Sequence, residues 1–568
     1  MAPNRCRPDE SGEPQPKLLE RRMPEQLLNL AMICKPQRQR LAMRSSIIAA
    51  LGGLLLVAPM RAQAHRNGQE AAGVELENMA RAEFGNLSQA EINMLHLAPT
   101  RDVAWASPSH DINSPLNDPA NAATWGPERT VRAALVEWLL SDPAAAPKVH
   151  PSGLAVKGAA IKGLLDLSYL RIGTPLMLVM CAIPDGIDLR YANYQSLDLR
   201  LSRVGSINGD QSIATGDVLL RYGHYGDVSF YRAEIGGNLE LNGGQFVGEE
   251  PLSAVDATIR GDALFHEDFT TSGIVDFRLA RIGRSLSFNQ AHFIGKGDNG
   301  LDAGRVTISG TLYWVDVTTT PRTELLLSDA HASAVWDNEK SWPAVGNLAL
   351  DGFVYNGFDG GPQDAEARLR WLALQPPALL SQPQPYRQLA EVLRASGRPE
   401  GATQVEIARE NMITNSGRIG FGERLWRCAL DAVIGYGYRP LRAIWWILGF
   451  VAFGAALFRW GYEQRLITPT EADAYEAFLQ RGEPPPYYPP FSSIVYSLEN
   501  FLPVVELHQG QYWRPNPRHR PRRSRRITRF GDGTLAPRLL RVYLWIHILA
   551  GWTITPLLFA GLAGLLRS

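Results

Sequence analysis

Ala233-Glu234-Ile235-Gly236-Gly237-Asn238-Leu239-Glu240-Leu241 decides the fold. Read as Ala-x-Ile-x-Gly-x-Leu-x-Leu, it sets an apolar side chain at every second residue, the period of a strand with one buried face. The phrase recurs at Ala159–Leu167 (AAIKGLLDL). Looser copies run over Ala257–Phe265 (ATIRGDALF), Ala280–Phe288 (ARIGRSLSF) and Val306–Tyr313 (VTISGTLY). Ile235, Ile259, Ile282 and Ile308 are spaced by 24, 23 and 26 residues. A repeat of this length with strand alternation predicts a stacked β-solenoid. One coil cannot bury its own apolar face, whereas a stack buries a continuous column of Ile, Leu and Phe. Glycines are expected where the chain turns tight corners. At roughly 20–25 residues per coil, the repeating region predicts about eight to ten coils.

Outward positions between the core residues are often acidic: Asp166, Asp188, Asp198, Glu240 and Asp276. Arg171, Arg190, Arg200, Arg232 and Arg278 stand near them. This is either a charged ladder for a polyanion or sugar polymer, or a solvated mixed-charge face that blocks aggregation. The second is the commoner use. The solenoid resembles the pentapeptide-repeat β-helix, whose ideal unit is Ala-(Asp/Asn)-Leu-x-x. Ala192-Asn193-Tyr194 and Ala280-Arg281-Ile282 match it imperfectly. The resemblance implies a right-handed, mainly β coil.

Around this core the 568 residues divide further. Hydrophobic residues at 45% and charged residues at 20% exclude wholesale disorder. Lys+Arg and Asp+Glu both number 57, which argues against a chain built to coat nucleic acid. Four cysteines exclude a disulfide scaffold. Residues 1–64 read as a targeting region. Basic residues 35–44 precede an uncharged run, Ser45–Met60, and Ala62-Gln63-Ala64 follows, which together form a secretory signal peptide over about 43–64. An uncleaved anchor is the alternative, and Met32 or Met43 are alternative starts. Cleavage leaves Cys181 and Cys428, both read as packed thiols without metal-ligand spacing.

Residues 65–150 read as a helical cap over the open end of the stack. A helix over 73–97 breaks at Asn86-Leu87-Ser88, where Ser88 and Glu91 predict a capping box. Residues 98–124 read as loop, and Gly126–Leu140 as one amphipathic helix. The solenoid is assigned to 151–360 and a helical neck to 361–438. Gln363–Leu374 is one neck helix. Tyr386–Ser396 and Glu400–Asn415 form a hairpin around Gly397-Arg398-Pro399, expected to pack on the last coil.

Residues 439–568 read as a two-span membrane module. Ala443–Phe458 runs 16 residues without charge, and Val542–Leu566 runs 25 without Asp, Glu, Lys or Arg. The loop between them, 461–541, holds 12 Arg and 8 acids. Its basic run is Arg514, Arg518, Arg520, Arg522, Arg523, Arg525, Arg526 and Arg529. That run reads as a cytoplasmic topology determinant, rather than a nucleic-acid or anionic-lipid site. A cleaved signal and a basic loop both place the solenoid in the periplasm. Residues 491–507 could re-enter the membrane, with Glu499, Glu506 and His508 along a pathway. Ile434-Gly435-Tyr436-Gly437-Tyr438 echoes a potassium filter but precedes the first span, where a filter does not belong. His547 is the titratable group within the second span and is expected at interface level.

From Trp125 onward the chain resembles a bacterial family of membrane-associated proteins. That family joins the helix VRAALVEWLL, a pentapeptide-like solenoid, the segment PYRQLAEVLR, the motif GYGYRP and a two-span end. Some members carry the label oxidoreductase. The resemblance implies architecture rather than activity. No nucleotide-, metal- or nucleophile-type catalytic motif stands in the sequence. His266-Glu267-Asp268 is its densest polar cluster. Trp314, Trp336 and Trp342 are the candidate surface for a sugar or peptide, with packing of the solenoid's end as the alternative. The expectation is a non-enzymatic inner-membrane protein presenting a periplasmic solenoid for binding or scaffolding, with no cofactor or metal. Expected partners are membrane lipid, an envelope protein or polysaccharide, and a second copy through the spans. Nucleic acid is not expected. A pore gated by the solenoid and an envelope polysaccharide-active enzyme are the alternatives.

Overall fold

The computed structural model describes residues 66–415, 419–516 and 535–565. The signal peptide and Arg518–Arg529 of the basic run lie outside them. The chain divides after Gly68, and the solenoid, its flanking helices and the apolar helices all belong to the unit Gln69–Ser568.

The middle of the chain is a parallel β-solenoid of about nine turns. Each coil has four short strands, as in Asn193–Tyr194, Leu197–Asp198, Arg203–Val204 and Ile207–Asn208. The next coil begins at Ile213, which pairs in parallel with Asn193. Stacking these sides yields a nine-stranded sheet, an eight-stranded sheet and an 18-stranded sheet that takes the other two sides. Two residues suffice for each side because one points inward. Tyr194, Leu197, Val204 and Ile207 are all buried.

The isoleucine column is real. Ile235 pairs with Ile259, Ile259 with Ile282, and Ile282 with Ile308. The first copy of the phrase, however, belongs to another side of the coil. Ile161 pairs with Val131 on the eight-stranded sheet. Every side asks for the same small-then-apolar residues, so the phrase fits more than one side. Toward the C-terminal half the core fills with rings, and Phe265 and Phe288 stack 4.4 Å apart at 13°.

The glycine expectation holds at Gly243 and Gly352, left-handed with φ of 63° and 73°, but not at most corners. One corner of successive coils is taken by Tyr169, Tyr191, Gln211, Arg232, Asp256, Leu279 and Arg305, all left-handed with φ of 55–62°. Such a residue costs about 1–2 kcal/mol. The coil-to-coil ladder offsets it, since Tyr191 N–H donates to Asp210 O at 3.1 Å and Gln211 N–H to Tyr231 O at 2.7 Å. Glycine is used where coils approach closely. A Cβ on Gly226 would press into the carbonyl oxygen of Gly205 one coil away.

At the N-terminal end the capping box forms as expected, with Ser88 and Glu91 bonded reciprocally. The helix expected over Gly126–Leu140 is shorter, Ala133–Ser141. Thr130–Arg132 instead forms a strand paired with Ala160–Lys162. Ala104–Trp105, within the expected loop, pairs with Val156–Lys157. The open end is therefore closed by strands as well as helices, which satisfies its backbone groups directly. Arg132 binds both oxygens of Glu91. Burial opposes ionisation of Glu91, but these bonds hold its carboxyl below the usual range.

At the other end the neck helices are Ala365–Leu372, Gln384–Ala395 and Pro399–Asn415. Gln384 accepts from Gly352 N–H at 3.0 Å and donates to Phe353 O at 3.0 Å. Gln388 donates to Tyr355 O at 2.5 Å. These amides satisfy the last coil's exposed backbone. Cys181 is buried, and burial pushes its thiol up to about 12. Cys428 is exposed, which corrects its reading as a packed thiol.

Candidate functional site

A groove of about 780 Å³ lies on the eight-stranded sheet, under the segment Pro119–Thr124. Register builds its floor. Ala160, Ala182, Arg203, His224 and Gln245 stack as one outward column. Two residues further on along the chain lie Lys162, Pro184, Gly205, Gly226 and Val247, which also line it. Gly205 and Gly226 leave bare backbone there. Pro119, Ala120, Ala122 and Ala123 form the facing wall.

Besides the buried Tyr225, the ionisable residues lining the groove are Lys162, Arg203 and His224, all basic. None of them makes an ion pair with a described residue. Elsewhere on the solenoid several arginines are held by acids. Arg190 grips Asp188, Arg200 grips Asp198 and Arg278 grips Asp276, each bidentate and two residues apart. Arg221 reaches Glu240 and Arg232 reaches Asp256 on neighbouring coils. Asp188 is largely buried, which opposes its ionisation, yet Arg190 holds its carboxyl low. These pairs look inward to each other and form no free charged ladder.

Partial desolvation and the nearby Arg203 push the His224 imidazole below its ordinary value, while Asp118 pulls the other way. His224 therefore holds its proton less readily than a free imidazole. A ring-proton titration by NMR should place its midpoint below that of a free imidazole. Arg203→Ala should move the midpoint upward, and an unchanged midpoint would show that the two groups do not interact.

The tryptophans do not form one surface. Trp314 is 1% exposed and donates Nε1–H to Ser341 O at 2.6 Å. Trp342 is half-buried and donates to Asp337 at 2.8 Å. Trp336, 41% exposed, lies flat against Gly360. The alternative, packing of the solenoid's end, describes two of the three. His266, Glu267 and Asp268 also diverge: His266 meets Ser287 at 2.6 Å, Glu267 meets Tyr222, and Asp268 meets His292 at 3.1 Å. Among the described residues no cluster of three or more His, Cys, Asp or Glu could hold a metal ion.

Two helices, Arg442–Glu463 and Arg538–Leu562, are long and apolar enough to cross a membrane. Only 17% and 22% of their most apolar stretches are buried, whereas the core helix of a soluble domain is mostly buried. The short helix Ser493–Phe501 packs against both. His547 is fully buried between the three. Phe450, Phe458, Phe501 and Tyr543 surround its ring. Its Nε2 lies 3.0 Å from Ser497 O and its Nδ1 3.3 Å from Tyr543 Oη. A neutral ring donating from Nε2 and accepting at Nδ1 satisfies both, and Ser497 Oγ donates onward to Val451 O at 2.9 Å. Gly454 makes room, since a Cβ there would sit 2.8 Å from His547 Cε1.

The other polar candidates stay apart from this cluster. Glu499 accepts from the N–H groups of Gln509 and Gly510 at 2.7 and 3.2 Å, stapling a loop. Glu506 and His508 are exposed. Arg514 is exposed on Trp513–Pro515, which pairs antiparallel with Ile467–Pro469. The Gly435-Tyr436-Gly437 motif is a left-handed turn, with φ of 53°, 54° and 89°, that ends the helix Phe421–Ile434. Tyr436 Oη donates to Asn411 at 2.8 Å, tying that turn to the neck.

Lys162, Arg203, His224, Ser497 and Tyr543 were not singled out by sequence. Only register aligns the first three, and only the helix packing brings the last two to His547. No family model, no curated protein and no solved structure matches this chain.

Proposed function

We propose that this chain is an integral inner-membrane protein that presents a pentapeptide-type β-solenoid in the periplasm for binding or scaffolding in the envelope. The observation that carries the reading is the groove. Lys162, Arg203 and His224, none of them in an ion pair with a described residue, face one groove that no carboxylate lines, while Arg190, Arg200 and Arg278 are each held by an acid. A binding surface needs unsatisfied groups aimed at one place, and a passive solvated face does not. The two apolar helices supply the anchor.

Alkaline phosphatase and fluorescent-protein fusions after residues 360, 480 and 568 test the orientation. Phosphatase activity at 360 and 568, with fluorescence at 480, is the expected pattern. The inverse pattern would put the solenoid in the cytoplasm and overturn the reading.

A pore-like module is the second reading. Span, short helix, span with a buried Ser497–His547 contact favours it. Ion efflux from proteoliposomes above that of empty vesicles, lost in His547→Phe, would decide for the pore.

A further inference from the structure

We infer that the groove on the eight-stranded sheet binds an acidic glycan, a chain of sugar rings bearing carboxylates. This rests on the solenoid being the binding part of the protein. Charge comes first. Lys162, Arg203 and His224 line the groove and no carboxylate does. Asp118, the nearest acid acting on His224, already accepts from Ala120 N–H at 2.9 Å.

Spacing comes second. Arg203 and His224 are register partners on adjacent coils. Lys162 follows Ala160, which pairs with Ala182, which pairs with Arg203, so two coils separate the cations. Strand stacking makes the Arg203–His224 step about 4.8 Å; Lys162, two coils away and two residues further along its strand, stands about 12 Å from Arg203. One coil rise is close to the length of one pyranose ring in an extended glycan. An extended peptide returns a side chain to the same side only every ~6.6 Å, out of step with the column.

Shape comes third. The floor at Gly205 and Gly226 has no side chains, so ring faces can lie against backbone. The outward column spans five coils, about 19 Å, enough for four to five sugar rings. Addition of a peptide strand is not available at this sheet's N-terminal edge, because Thr130–Arg132 already pairs there.

The full-length protein in detergent is tested against pentagalacturonate, maltopentaose and pentaglutamate. Pentagalacturonate should bind, and maltopentaose should bind at least about tenfold more weakly. Lys162→Glu/Arg203→Glu should lose at least about tenfold in pentagalacturonate affinity, as charge reversal of a steering pair does. Ala122→Trp, which fills the groove from its other wall, should do the same without changing charge. Arg171→Glu, an exposed arginine on another sheet, should leave affinity unchanged. Equal binding of pentaglutamate, lost in the same groove variants, would overturn the glycan while leaving the binding-module reading intact. Binding of pentagalacturonate untouched by the groove variants, or no binding of any probe, would overturn the inference outright. The fusion pattern judges the envelope reading separately.

Discussion

Arg368→Ala is expected to destabilise the junction between solenoid and neck by about 3–5 kcal/mol, the cost of stranding one partner of a buried ion pair. Arg368 side-chain exposure is 0% and that of Asp337 is 4%. Both terminal nitrogens of Arg368 donate to the Asp337 carboxylate, at 2.8 and 2.6 Å, and Nε donates to Pro362 O at 2.7 Å. The guanidinium lies 3.7 Å over the Phe358 ring. Trp342 supplies one further donor to Asp337. Removing the arginine leaves a buried carboxylate with that single indole N–H. Arg368→Lys should recover part of the loss, because an ammonium can meet the charge but not the two-point geometry. Arg368→Met with Asp337→Leu should cost far less than Arg368→Ala, since no charge is stranded. Thermal unfolding with hydrogen exchange over 331–372 measures this. A loss under about 1 kcal/mol for Arg368→Ala would show that water reaches the pair.

Much of this architecture was legible because its cause is local. Alternation around Ile235, Ile259 and Ile282 announces strands, and the spacing announces coils. The same locality explains the errors. Thr130–Arg132 sits in an amphipathic pattern, yet the open backbone of Ala160–Lys162 recruits it as a strand, and that edge is invisible in one dimension. Corner residues such as Tyr191 and Leu279 carry no left-handed signature, because the ladder above and below holds them there. The groove was illegible for a related reason. Lys162, Arg203 and His224 are scattered in sequence and converge only once the register is fixed. His547 was visible as a titratable residue in an apolar span. Its burial depended on Ser497, 50 residues away, which no periodicity connects to it.

That a coil is held by its neighbours makes the second large effect specific in its reach. Phe265→Ala is expected to cost about 3–5 kcal/mol, the sum of lost transfer and a cavity that the stack cannot close. Phe265 is fully buried. It stacks on Phe288 at 4.4 Å and meets Phe269 at 4.9 Å and Phe277 at 5.8 Å edge-on. Those rings come from its own coil and the next, so the void sits at a coil interface. In a quasi-one-dimensional stack, stability is a sum of coil terms and neighbour terms. Weakening one interior interface leaves the cap-side coils and the neck-side coils each held by their own ends. Hydrogen exchange should therefore lose protection at Leu239–Phe293, with Leu154–Leu197 and Thr323–Tyr355 much less affected. Phe265→Leu, which keeps most of the volume, should cost less than half as much. Uniform loss of protection from residue 154 to 355 would mean the solenoid unfolds as one unit. In that case the groove and the Arg368 junction would share a single stability, and a ligand bound at Arg203 would protect Asp337 as strongly as its own coil.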